Sequence, residues 1–176
     1  MVMTKNNSSK LSKEEIAKTI TNKAQNAISN FCIHDCKAYC CRKGYLKLKD
    51  SEVDTVTQNR KDKLIKKEIL KKLEPNSEEV KKGYSYSLFM GTPNQPCPSL
   101  DQNTFKCKIH TSTNRSNTCS AFPIFLHKEK SNENNETKIL IHFSRRCLAV
   151  KEGKLYPFEK VFLDAGINIV NVEDYS

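Results

Sequence analysis

Eight cysteines in 176 residues, four of them inside one ten-residue stretch, restrict this chain more than anything else in its sequence. Cys32, Cys36, Cys40 and Cys41 come first; after 55 residues without a cysteine follow Cys97, Cys107, Cys119 and Cys147. A chain of this length buries roughly two-thirds of the surface that its unfolded form exposes, so it needs no disulfides to fold. The thiols therefore need another role.

The compartment narrows that role. Met1 to Lys13 is polar and lysine-bearing and has no continuous apolar segment of the secretory kind. The longest nearly apolar run, Ala121 to Leu126, is of strand length, far below the roughly 20 residues of a membrane span. The expectation is a cytoplasmic protein without a membrane segment. In that reducing setting thiols stay free or bind metal.

Thiolates suit zinc and iron because both are well matched to soft sulfur, and a local group of ligands avoids the entropy of closing long loops. Spacing limits how the first group can serve. On one continuous helix Cys32, Cys36 and Cys40 would share a side but end about 12 Å apart at about 1.5 Å per residue. Two sulfurs on one zinc lie within about 4.6 Å, twice the usual bond of about 2.3 Å. Either the helix breaks here, or the thiols serve a larger cluster or two separate metals. The adjacent Cys40 and Cys41 also favour more than one role. Lys37, Arg42 and Lys43 lie close by and would offset thiolate charge.

Around the cysteines, Ile16, Ile20, Ala24, Ala27, Ile28 and Phe31 keep to one helical face, with Ser12 and Glu15 at capping-box spacing. Tyr45 to Leu48 reads as a short strand, with Asp50 or Ser51 capping the next helix. Lys61 to Leu73 reads as a helix with Leu64, Ile65, Ile69, Leu70 and Leu73 inward, ended by Pro75. Gly91 to Pro98 is loop. Two strands, Phe122 to His127 and Lys138 to Phe143, make a hairpin across a polar loop from Lys128 to Thr137, and Pro157 to Ala165 forms a last helix closed by Gly166. The whole implies an α+β fold: a small single domain over 11–176, helices flanking a short antiparallel sheet, held together by a cysteine metal cluster, after a disordered tail over 1–10.

The net charge of +10 is +8 over residues 1–74, +4 over 75–150 and −2 over 151–176. It is almost all lysine, with only five arginines beside 16 asparagines, so a Lys/Asn bias accounts for it as well as phosphate contact does. Nucleic acid is disfavoured as a partner. A protein or small-molecule partner is expected, of unspecified identity.

The group Cys32-x3-Cys36-x3-Cys40-Cys41 followed by Gly44, then Cys97-Pro98-Ser99-Leu100, Cys107-Lys108-Ile109-His110, Arg115-x3-Cys119 with Phe122-Pro123, and Cys147 ahead of Gly153, resembles the YkgJ-type cysteine-cluster family. The resemblance covers Cys32 to Gly153 and implies a zinc- or iron-chelating domain in which all eight cysteines take part. Two departures stand out. The first group is wider than is usual in the family and is closer to that of the distantly similar flagellin lysine-N-methylases, whose resemblance implies an iron–sulfur cluster. Ser116 also stands after Arg115 where the family often has proline.

Other uses of the thiols compete less well. A lone cysteine is often a small buried hydrophobe, but eight with this clustering are not. A redox switch through Cys40 and Cys41 is the stronger rival. His34 and His110 lie close enough in sequence to ligate, whereas His127 and His142 fall in strands and read as structural; none is assigned. Asp35 and Asp101 read as polar loop residues. No phosphate loop, nucleophile elbow or His-Glu-x-x-His pair is present. The expected function is therefore a metal-binding protein using Cys32, Cys36, Cys40, Cys41, Cys97, Cys107, Cys119 and Cys147. Its cofactor would be zinc or iron, the iron including an iron–sulfur cluster, in a structural or electron-carrying centre. The alternative is a metal-dependent enzyme such as an iron–sulfur methyltransferase or redox catalyst.

Overall fold

A computed structural model describes residues 11–91, 95–130 and 137–170 of the chain. The tail expected over 1–10 lies outside them, as do 131–136 of the hairpin loop and 92–94 of the Gly/Pro-rich loop.

The capping box forms as expected. Ser12 Oγ accepts from the Glu15 N–H at 3.3 Å, and the Glu15 carboxylate accepts from the Ser12 N–H at 2.8 Å, opening helix α1 over Lys13–Ala27. Its buried stripe is Ala17, Ile20, Ala24 and Ile28, so Ala17 takes the place expected for Ala27, which is exposed.

After the first cysteine group comes strand β1 (Gly44–Leu48), then α2 (Asp50–Thr57), α3 (Lys61–Lys66), β2 (Leu70–Lys72), α4 (Glu78–Lys81) and β3 (Tyr86–Met90). The α2 cap is Lys49, one residue before Asp50, because the carboxylate of Glu52 reaches back to the Lys49 N–H at 2.9 Å. The helix expected over Lys61 to Leu73 stops at Lys66. Glu68 adopts a left-handed φ of 56°, and the N–H groups of Ile69 and Glu68 close on the carbonyls of Leu64 and Ile65. Leu70 then joins a sheet instead of a helical stripe, and Ile65 stays exposed. The sheet has the order β1-β3-β2 and is antiparallel throughout, with Gly44 opposite Met90 and Leu70 opposite Leu88.

The second half holds α5 (Asn117–Ala121), β4 (Ile124–Lys130), β5 (Thr137–Phe143), α6 (Leu148–Lys151), α7 (Tyr156–Asp164) and β6 (Asn168–Ile169). The expected hairpin forms, with both strands longer at the loop end and a register from Ile124 opposite Phe143 to Lys130 opposite Thr137. Gly166, at φ 70°, closes α7 and turns the chain so that β6 runs parallel to β5. The α+β class and a short antiparallel sheet are as expected; among the described residues a second three-stranded sheet, β4-β5-β6, is mixed and unexpected. The second sheet gains its parallel edge because Ile167, fully buried after the Gly166 turn, carries the chain back alongside Ile141.

Among the described residues these elements form two hydrophobic cores. In one, α1 packs with Ile124, Ile139, Ile141, Phe143, Leu155 and Phe162, so the two ends of the chain make it together. In the other, the middle of the chain gathers Leu46, Leu48, Val53, Val56, Leu70 and Leu88. Each fully buried aliphatic or aromatic side chain contributes about 1.5–3 kcal/mol by leaving water. No helix among the described residues is long and apolar enough to cross a membrane.

Candidate metal centre

The stretch from Phe31 to Arg42 is where the two cores meet. A π turn, Phe31–Asp35, follows α1 and is closed by the Cys36 N–H on the Phe31 carbonyl at 3.0 Å. Lys37 and Ala38 then take left-handed φ values of 50° and 51°, and a tight turn, Tyr39–Cys41, follows. Of the alternatives left by the spacing, the helix therefore breaks. Ala38, whose N–H reaches the Cys32 carbonyl at 2.7 Å, is buried in the middle core and anchors the reversal.

All eight cysteines are free thiols. Cys147 is buried in the core made by the chain ends and Cys32 packs against it; Cys97 is buried in the middle core, with Cys41 and Cys119 against it. Electrostatics groups them the same way. Burial pushes the Cys32 thiol up to about 12, with the neighbouring charges of Cys36, Cys147 and Cys40 adding to it. Burial also raises Cys147, helped by Cys40 and Cys36. Burial lifts Cys97 to about 11 against the Ser99 N–H, with Cys107 and Cys40 pushing the same way. Burial lifts Cys119 to about 12, Cys97 adding and Arg115 opposing.

Two groups emerge: Cys32, Cys36 and Cys147 on one side, and Cys41, Cys97, Cys107 and Cys119 on the other. Cys40 is felt by both. Its Sγ lies 4.0 Å from that of Cys41. The hydrogen bond from Cys41 lowers Cys40 to about 7 despite burial, with Arg146 assisting, while the same bond and burial hold Cys41 well above its ordinary value.

The thiols are gathered without being closed on a point: among the described residues, no three His, Cys, Asp or Glu side chains converge to hold one ion. The donor set nevertheless fits zinc or iron. Burial makes Cys32, Cys41, Cys97, Cys119 and Cys147 costly to ionise alone, and a bound cation makes their thiolates favourable.

The other candidates stand apart. His34 is exposed. His110 Nδ1 lies 3.1 Å from Arg115 Nη1, and a guanidinium only donates, so that nitrogen is taken. His127 and His142 lie together on the hairpin, ring centroids 6.1 Å apart. Asp101 accepts from the N–H groups of Asn103 and Thr104, both at 3.0 Å, as a turn residue does.

The sequence reading missed Arg146 and the backbone bonds made by Arg42 and Arg115. Arg42 donates to the carbonyls of Lys37 at 2.8 Å and Cys36 at 3.2 Å. Arg115 donates to the Cys119 carbonyl at 2.9 Å. Arg146 lays its guanidinium over Gly44, in the space that any side chain at 44 would need. The signal was available: four of the five arginines, Arg42, Arg115, Arg145 and Arg146, lie within four residues of a cysteine in a chain otherwise rich in lysine.

Compared with known proteins, the chain matches no curated protein and no solved structure. The CxxCxxCC family model, described as a putative zinc- or iron-chelating domain, matches residues 31–147, two-thirds of the chain and every cysteine in it. Here each of the two spacers in the first group is one residue longer than in the family's name. With its eight cysteines all inside the matched segment, the chain belongs to the CxxCxxCC family of zinc- or iron-chelating domains.

Proposed function

We propose that this protein is a metal-binding module carrying two tetrathiolate ions, zinc or iron, at the junction of its two cores. Cys32, Cys36, Cys40 and Cys147 would hold one, and Cys41, Cys97, Cys107 and Cys119 the other. The observation that carries this reading is the division of the buried thiols between the two cores, Cys32 and Cys147 in one and Cys41, Cys97 and Cys119 in the other; Cys40, felt by both groups, is assigned to the first so that each ion has four ligands. Four thiolates fill a closed tetrahedral site, and such a site contributes folding free energy. Residues 11–176 then act as one metal-organised unit. Arg42, Arg115 and Arg146 offset the negative charge that eight thiolates leave over two divalent ions. Free thiols in this number suit a reducing compartment such as the cytoplasm.

The test is metal analysis and a visible spectrum on full-length protein purified without oxygen. About two zinc ions per chain and no colour fit two closed sites. Brown protein with iron and sulfide moves the function to an iron–sulfur redox or methyl-transfer centre. Folded protein that binds neither metal removes the reading.

A further inference from the structure

Cys36 lines a cavity of about 290 Å³ together with Phe31, Asp35, Leu148, Glu152 and Lys154. Half-buried Phe31, Cys36 and Leu148 make its inner side, and exposed Asp35, Glu152 and Lys154 its rim. Lys154 Nζ lies 4.0 Å from Glu152 and 5.5 Å over the Phe31 ring, so the rim carries two carboxylates and one ammonium, with Glu152 and Lys154 paired.

Cys36 is held through its backbone, its N–H on the Phe31 carbonyl at 3.0 Å and its carbonyl accepting from Arg42 at 3.2 Å. It sits between the π turn and the two left-handed residues, and its Sγ reaches back to the Cys32 carbonyl at 3.4 Å. The other group is pinned segment by segment. The Cys97 N–H bonds the Cys41 carbonyl at 2.7 Å, Cys107 bridges to Leu100, and Arg115 holds the Cys119 carbonyl. Arg60 adds a bond to the Pro98 carbonyl at 3.1 Å.

We propose that the cavity at Cys36 is a loading port, through which a divalent zinc or ferrous ion reaches and leaves the Cys32, Cys36, Cys40 and Cys147 set. This rests on the two-ion reading above and makes one ion exchangeable and the other fixed. The chemistry runs in two stages. Carboxylate oxygens of Asp35 and Glu152 take a hydrated cation at the rim, and thiolate sulfur, better matched to zinc or iron, replaces water as the ion moves inward, the thiol protons leaving to solvent. Exchange at a tetrahedral ion passes through a fifth ligand, and the cavity beside Cys36 gives that ligand room.

The experiment follows zinc transfer from the zinc-loaded full chain to a chromogenic chelator, and its reloading with zinc alone. Wild-type protein should release one ion in a fast phase and one in a slow phase. Leu148→Trp fills the cavity and removes no thiol; it should slow the fast phase several-fold and leave the slow phase and the stoichiometry unchanged. Asp35→Asn with Glu152→Gln, both at exposed positions, should slow reloading of the fast site. A fast phase indifferent to both variants overturns the port, as does release of both ions in one phase or an effect confined to the slow phase. Wild-type protein that takes up neither zinc nor iron fails the two-ion reading itself, so the two failures are distinguishable.

Discussion

The carboxylate of Glu52 accepts a hydrogen bond at 2.9 Å from the backbone N–H of Asn117, 65 residues further along the chain. Its other oxygen accepts from the Lys49 N–H, so one buried side chain, 5% exposed, serves the first turns of α2 and α5 together. Because α5 carries Cys119, this bond fixes one thiol relative to the middle core. Glu52→Ala leaves two backbone donors without their partner and should cost about 1–3 kcal/mol. Chemical unfolding of metal-loaded protein reads that cost, and Glu52→Gln, which keeps one acceptor oxygen, should lose less. Equal stability of wild type and Glu52→Ala would show that solvent replaces the carboxylate without loss.

Glu14 ties α1 to the hairpin. Its carboxylate meets Lys128 at 2.7 Å and Lys18 at 2.8 Å, and the hydrogen bond from Lys128, followed by that from Lys18, lowers its pKa from an ordinary 4.5 to about 2. A carboxylate depressed in the folded state adds stability above its unfolded pKa, and that addition fades as pH falls through the folded value. The stability difference between wild type and Glu14→Gln, compared at equal metal content, should therefore be constant near neutral pH and shrink between pH 4.5 and about 2. Both partners are solvent-exposed lysines, so added salt should shrink it as well. A difference that does not change with pH would remove the ion pair as its source.

Local signals carried the parts of the fold that were legible in the sequence. Ser12 and Glu15 lie three residues apart and form their capping box within one turn, so α1 could be placed from the sequence alone. The hairpin was legible because the apolar residues of both strands survive on either side of an obvious polar loop. The end of α3 was not. Its stop is a left-handed Glu68 where a glycine would have been the visible sign, and the strand after it exists only because Leu70 meets Leu88. The cysteines were legible as a cluster, but their division between two cores depends on α1 packing against the far end of the chain, which no local spacing records.

Gly44 shows how a close approach becomes a requirement on one residue. Its φ is 97°, and the Arg146 guanidinium occupies the place of a side chain. Gly44→Ala should destabilise by about 1–2 kcal/mol from backbone conformation alone, with a further cost from displacing Arg146. Combining it with Arg146→Ala should recover the steric part and leave the backbone part, which a double-mutant cycle on unfolding free energy separates. Strictly additive effects would mean that Arg146 moves aside freely.

The adjacent thiols give the sharpest test of the two-ion reading. If Cys40 belongs with Cys32, Cys36 and Cys147, and Cys41 with Cys97, Cys107 and Cys119, then Cys40→Ser and Cys41→Ser should each lower the metal content by about one ion, and the double variant should lose both. The two single variants should also open different regions. Hydrogen exchange should rise around Cys32 and Cys147 in Cys40→Ser, and around Cys97 to Cys119 in Cys41→Ser, because each ion closes loops belonging to a different core. If both thiols served one ion, the double variant would keep the metal content of either single variant, and exchange would rise over the same segments in all three. Metal analysis beside hydrogen exchange on the same samples decides between these patterns.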